Sequence, residues 1–220
     1  MSNRNTGNKR DQLLQDVDNL VPPQQCLNLN LLVTGIIGSG KSSLVNTLKT
    51  VLRNSGEITN IATTYGQHMD STTLKFQGNQ NIGQNHQLYR ANPTFDQKMH
   101  CVIFVVDASS ITEIHEQDMQ KLAEIREHIG SENIPLRLIL TKVDELDLYS
   151  FGDLSSVFRS RHAKQKFDAA KRKFTLQDNQ VRPIANYVTG PNQNLAQDIL
   201  ALIAVKNILE EALVYIGNNT

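Results

Sequence analysis

Tryptophan is absent from the 220 residues, and aromatic residues make up only 5% of them, so a face that stacks bases between positive charges is not expected. Cysteine is almost as scarce, with Cys26 and Cys101 alone, each at the head of an expected strand. Two isolated thiols exclude a disulfide-built scaffold, and no zinc-ligand spacing accompanies them. Neither sign of charge prevails, since lysine plus arginine and aspartate plus glutamate both number 22. Such a balance provides no overall field for nucleic acid or an acidic membrane. Long hydrophobic runs are missing too. The longest, residues 101–106, has the length of a strand and cannot cross a bilayer. Residues 1–10 are polar and lack the apolar core of a secretion signal, which leads to an expected cytoplasmic location.

What is present is 39% hydrophobic residues in a length that can bury one core. Disorder is expected over residues 1–10, then a short helix over residues 11–20 with Leu13, Leu14 and Val17 on one face, stopped by Pro22 and Pro23. A single domain is expected over residues 26–217, after a polar tail and short helix in 1–25. Strands are expected at residues 27–33, 101–106, 136–140 and 181–188, and helices at 42–53, 111–129, 151–174 and 195–216. Strand–helix alternation of this kind predicts an α/β fold: a three-layer, P-loop GTPase-like domain with a mainly parallel sheet and helices on both faces. Residues 57–97 resist the scheme, being rich in Thr, Asn and Gln, and 77–87 read as a surface loop.

Gly35-Ile-Ile-Gly38-Ser39-Gly40-Lys41-Ser42 fits the phosphate-loop pattern G-x-x-x-x-G-K-[ST] without a mismatch. The three glycines allow backbone N–H groups to turn inward around phosphate oxygens where side chains would block them. Lys41 adds positive charge at the β and γ phosphates. The Ser42 hydroxyl can ligate Mg²⁺, and Ser39 and Ser43 complete the cradle as the helix begins. A ligand-free turn between strand and helix is the plainer reading, and it is disfavoured by the fit of both flanking elements.

Residues 136–144 form a second unit, an apolar strand ending in Thr141-Lys142-Val-Asp144. A carboxylate there can accept both N1–H and N2–H of guanine, which adenine cannot offer. The Lys142 stem can lie over the base, and Thr141 can steady the loop. Alone this pattern is weak. Its place at the C-terminal end of a strand, where ligands gather on such sheets, strengthens it. Asn186 and Tyr187, after the last strand, are further candidates near the base.

No D-x-x-G stands between these two units, so the Mg²⁺-holding aspartate and γ-phosphate-sensing glycine of a hydrolysing enzyme have no clear bearer. Gln80-Asn-Ile-Gly83 with Gln84 is the best positional substitute, and Thr59, Thr63 and Thr64 are unranked candidates for a second Mg²⁺ ligand. Asp107 closes a strand that must neighbour the base-reading strand, which makes it a turn or cap residue rather than a magnesium ligand. Catalytic residues therefore stay unassigned. A GTPase with weak or absent GTP hydrolysis is the leading expectation. The alternative is a pseudo-GTPase acting as a protein-interaction module for an unidentified protein partner, and an ATP-dependent kinase ranks last. The basic stretch 159–173 reads as a solvated helix face rather than a nucleic-acid surface.

The blocks NLLVTGIIGSGKSSLVNTLKTVL, HCVIFVVDASSI, LILTKVDELD, IANYVTG and ALIAVKNILEEAL together resemble the interferon-induced protein 44 family over about residues 27–213. The resemblance implies a GTPase-like sheet, bound GTP or GDP, a cytoplasmic location and a part in antiviral or antiproliferative responses. Family members tend to carry a D-x-x-G-like element that this chain lacks.

Overall fold

The computed structural model describes residues 2–20, 29–53, 93–146, 160–188 and 193–219. Four parallel strands pair in chain order: β1 (Leu31–Gly35), β2 (Cys101–Asp107), β3 (Leu136–Thr141) and β4 (Val181–Pro183). Helices α2 (Lys41–Arg53), α3 (Glu116–Ser131), α4 (Arg161–Phe174) and α5 (Leu195–Asn219) cover the two faces, and α1 (Ser2–Asp18) precedes them. The expected three-layer α/β arrangement is therefore present.

The layers follow from the two-residue period of a strand. Val102, Phe104 and Val106 of β2 join Leu136, Leu138 and Leu140 of β3 against Leu122 and Ile129 of α3 and Phe174 of α4. Cys101, Ile103 and Val105 point the other way, with Ile139, toward Leu44 of α2 and Ala204, Ile208 and Ala212 of α5. Because both faces are covered, the first six residues of β2 are all buried and the run shows no polar alternation. Burying each such large apolar side chain contributes about 1.5–3 kcal/mol, so this strand anchors the sheet. The one charge in β3, Arg137, is buried beneath α5. Its guanidinium donates to Asn207 Oδ1 at 3.2 Å and to the Leu136 carbonyl at 2.9 Å, and pairs with Glu211. Without those partners such a charge could not sit there.

Several boundaries differ from the sequence-based expectation. Residues 1–10 were expected to be disordered, yet one helix runs from Ser2 to Asp18. Its fastening is tertiary. Leu14 and Val17 pack with Val51, Leu202 and Val205, while Arg10 reaches Asp198 at 2.6 Å and Asp16 accepts from Lys206 at 2.7 Å. The helix expected from residue 111 starts instead at Glu116. The Asp107 side chain and the Ser110 carbonyl take up amides in a turn there, and Ile111 is buried without being helical. The strand expected over 181–188 ends at Pro183, because the Tyr187 amide donates to Thr47 Oγ1 at 2.9 Å instead of to a strand. β1 occupies Leu31–Gly35 rather than 27–33. Cys101 heads β2 as expected and is buried, and burial pushes its thiol up to about 12. Cys26, residues 151–159 of the expected fourth helix, nearly all of 57–97 with the candidates Thr59, Thr63, Thr64 and Gln80–Gln84, lie outside the described residues.

Candidate functional site

At the C-terminal edge of the sheet, three segments that are remote in sequence converge. The first leaves β1 at Gly35 and enters α2 at Lys41. Gly35 has φ +145°, and a Cβ there would lie 2.2 Å from the Val105 carbonyl oxygen. Only glycine can sit that close to the neighbouring strand. The loop is closed by Ser39 N–H donating to Ile36 O at 3.2 Å, and the first helical bond runs from Leu44 N to Gly40 O at 2.8 Å. Lys41 folds back over this loop, its ammonium donating to the Gly35 and Ile36 carbonyls at 3.1 and 2.9 Å. Ser42 and Ser43 follow in the first turn of α2, both half-buried. The early amides of a helix have no intrahelical acceptor and carry the positive end of its dipole.

The second segment is the end of β3. The buried Thr141 hydroxyl stands 2.6 Å from the Ser39 carbonyl and 3.2 Å from that of Val106, so its single hydrogen serves the shorter bond, onto the glycine-rich loop. Lys142 takes a left-handed conformation (φ 57°, ψ 31°) and starts the short turn Val143–Glu145. Its ammonium meets Asp107 Oδ2 at 2.6 Å. The Asp107 bond raises the Lys142 pKa. Burial pushes the Asp107 carboxyl up, but the bonds from Lys142 and Ser109 outweigh it and hold the group below its ordinary range. Asp144, half-buried, is held above its ordinary range by burial, with its own backbone amide opposing in part.

The third segment follows β4. Asn186 is buried, and its Nδ2 donates to the Gly40 carbonyl at 3.3 Å. In the fold it braces the back of the glycine-rich loop, and a Cβ on Gly40 would approach that amide to 3.0 Å. Tyr187 ties three helices together. Its amide reaches Thr47 of α2, and its hydroxyl stands 2.7 Å from Asp198 of α5, which also holds Arg10 of α1. Burial first, and then the Asp198 contact, raise the Tyr187 pKa.

Two side-chain oxygens in this region, Ser39 Oγ and Asn186 Oδ1, are buried with no hydrogen-bond partner among the described residues. Buried unmatched polar atoms are costly and mark places where a donor from outside the chain would be accommodated. The candidate residues Gly35, Gly38, Ser39, Gly40, Lys41, Ser42 and Ser43, Thr141, Lys142 and Asp144, and Asn186 thus lie on three segments, which are joined by the Thr141–Ser39 and Asn186–Gly40 contacts. Sequence reading missed the supports behind Asn186 and Tyr187: Thr47, Asp198, Arg10 and Asn194, whose amide donates to the Tyr187 hydroxyl at 2.7 Å. One signal was available: Asn46, Thr47 and Thr50 are polar residues at buried positions of α2. On the described part of the basic stretch, Lys166, Lys171 and Lys173 are engaged with Ser109 O, with Asp168 and Asp178, and with Ile111 O and Ile114 O. No described helix is long and apolar enough to cross a membrane.

No protein-family model matches the chain. Among curated proteins, human interferon-induced protein 44 is 30% identical over 135 residues, which cover 61% of this chain and 30% of that protein. The mouse protein of the same name is 27% identical over an alignment of 229 residues, covering 83% of this chain and 54% of the mouse protein. Human interferon-induced protein 44-like is 20% identical over an alignment of 252 residues, covering 92% of this chain and 56% of that relative. The chain thus spans from 30% to little more than half of the relatives it matches. The sequence blocks quoted above for the resemblance fall on β1 and α2, β2, β3, the segment after β4, and α5. The chain is thus similar, over 61% to 92% of its length, to interferon-induced protein 44 and 44-like proteins.

Proposed function

We propose that the chain binds guanine nucleotide, GTP or GDP with Mg²⁺, as a regulatory protein with weak or absent GTP hydrolysis. One observation carries this reading: the Thr141 hydroxyl is bonded to the Ser39 carbonyl at 2.6 Å. That contact joins the G-x-x-x-x-G-K-S loop to the T-K-x-D turn, two motifs that sequence alone could only put a hundred residues apart. In this reading the loop amides and Lys41 hold the phosphates, after Lys41 gives up its own-loop carbonyls. Asp144 accepts from the guanine N1–H and N2–H, and the Lys142 stem covers the base. The donor set also suits Mg²⁺, which Ser42 would ligate with phosphate oxygens and which would neutralise charge on the phosphates. The family relation supports a part in innate immune or antiviral responses, and a cytoplasmic location goes with it. The missing D-x-x-G favours a second reading, a pseudo-GTPase that serves an unidentified protein partner as an interaction module.

Thermal unfolding in Mg²⁺ with GDP, non-hydrolysable GTP or non-hydrolysable ATP tests both readings. Ligand at a hundred times Kd stabilises the folded state by about 2.7 kcal/mol, a readable rise in Tm. A rise with guanine nucleotides alone, lost in Lys41→Ala and Asp144→Ala, is the expected result. Equal rises with ATP and GTP would overturn the guanine assignment, and no rise with any nucleotide would leave the interaction-module reading.

A further inference from the structure

The charged end of β2 belongs to the neighbourhood of the T-K-x-D turn rather than to a loop of its own. Asp107 and Thr141 are register partners across the parallel pair β2–β3, and Ala108 N–H donates to the Thr141 carbonyl at 3.0 Å. The Asp107 carboxylate is fixed on one side by its own turn, where Oδ1 accepts from Ser109 N at 2.8 Å and Ser109 Oγ at 2.6 Å. That turn is pinned from outside by Lys166, whose ammonium donates to the Ser109 carbonyl at 2.9 Å. Oδ2 is left to face Lys142, and accepts from its ammonium at 2.6 Å. The left-handed backbone of Lys142 turns the chain between the buried Thr141 and the half-buried Asp144. The lysine is therefore held at both ends, by its backbone conformation and by a carboxylate that has no freedom of its own.

We propose that Asp107 is a positioning residue of the base site, holding the Lys142 ammonium so that its four-carbon stem is already laid out where the guanine plane would rest. The inference rests on the guanine-nucleotide reading above and assigns that site a residue from a different strand. An untethered lysine loses rotamer freedom when a ligand orders its stem. Prior tethering removes a penalty worth about tenfold in affinity. An ion pair that merely fastened the ends of β2 and β3 would instead act on the stability of the ligand-free protein and would not depend on what the stem covers.

A double-mutant cycle separates the two roles. GDP affinity and ligand-free Tm are measured for the unaltered chain, Asp107→Asn, Lys142→Ala and the double variant. Asparagine keeps the Ser109 bonds and removes the charge that holds the ammonium. The expected result is about tenfold weaker GDP binding in Asp107→Asn, with little change in ligand-free Tm and no further loss when the substitution is added to Lys142→Ala. Equal losses in both backgrounds, or none in either, would overturn the proposal while leaving the guanine reading standing. Failure of the unaltered chain to bind GDP would overturn both. If Asp107→Asn does not fold, Asp107→Glu, which keeps the charge but shifts it by one methylene, takes its place in the same cycle with the same expected pattern.

Discussion

Two glycines of the same loop should respond very differently to one added methyl group. Gly35 and Gly38 both have positive φ, +145° and +76°, so alanine at either carries a conformational cost of about 1–2 kcal/mol. The surroundings then separate them. A Cβ on Gly38 meets nothing within 4 Å. A Cβ on Gly35 meets Val105 backbone atoms at 2.2, 2.8 and 2.9 Å, and these belong to the fully buried centre of β2. Strand β2 cannot recede, because β3 is paired along its other edge, so β1 must withdraw and weaken its ladder. Overpacking of this kind adds typically 1–3 kcal/mol, and each ladder bond lost adds about 1 kcal/mol. With one ladder bond lost the total for Gly35→Ala is about 3–6 kcal/mol, against a usual domain stability of 5–15 kcal/mol. For a chain of this size one kcal/mol moves Tm by about 2–4 °C. Ligand-free thermal unfolding should therefore show Gly38→Ala lower by about 2–8 °C and Gly35→Ala lower by about 6–24 °C, or unfolded outright. Similar losses in the two variants would refute the reasoning, since it depends on the closeness of Val105 rather than on glycine content.

Two further substitutions test the electrostatics. Burial raises the Asp144 carboxyl above 3.8, so the folded state holds that proton more tightly than the unfolded chain does. Its contribution to stability is then present below pH 3.8 and lost as pH rises through the raised value, which leaves an ionised carboxylate at a cost in the ligand-free protein at neutral pH. Asp144→Asn should give a ligand-free Tm equal to or above that of the unaltered chain while losing any guanine-dependent rise, and a clear fall in ligand-free Tm would contradict this. Tyr187→Phe should lower stability by about 1–3 kcal/mol, because the Asn194 amide loses its acceptor and Asp198 loses a donor. The raised phenol pKa adds a sign: the stability of the unaltered chain should decline as pH rises above 10.0, where only the unfolded state releases the proton. Urea unfolding at several alkaline pH values would show the decline, and the Phe variant should show less of it.

Much of the architecture was legible before the fold was known, and for a definite reason. β2 and β3 are covered on both sides, so they appear as short unbroken apolar runs, and the glycine-rich loop has a backbone path that only certain residues permit. Both are local demands written in consecutive residues. The start of α3 was misread for the converse reason. Ile111 is apolar and at helical spacing from Ile114, but its burial is satisfied by tertiary packing while the backbone around it turns on Asp107 and Ser110. The extent of α1 was equally hidden, since its polar first residues say nothing of Arg10 meeting Asp198, 188 positions away.

The α/β class could be read from consecutive residues, because strands covered on both faces appear as short unbroken apolar runs between amphipathic helices. What the glycine-rich loop and the T-K-x-D turn touch came from the packing of distant segments. It brought Thr141 onto Ser39, Asn186 onto Gly40 and Lys142 onto Asp107. Each of these is one directional hydrogen bond, meaningful only within about 3.5 Å. Closeness of that order between residues from 35 to 146 positions apart is set by how the strands line up, which no stretch of sequence contains.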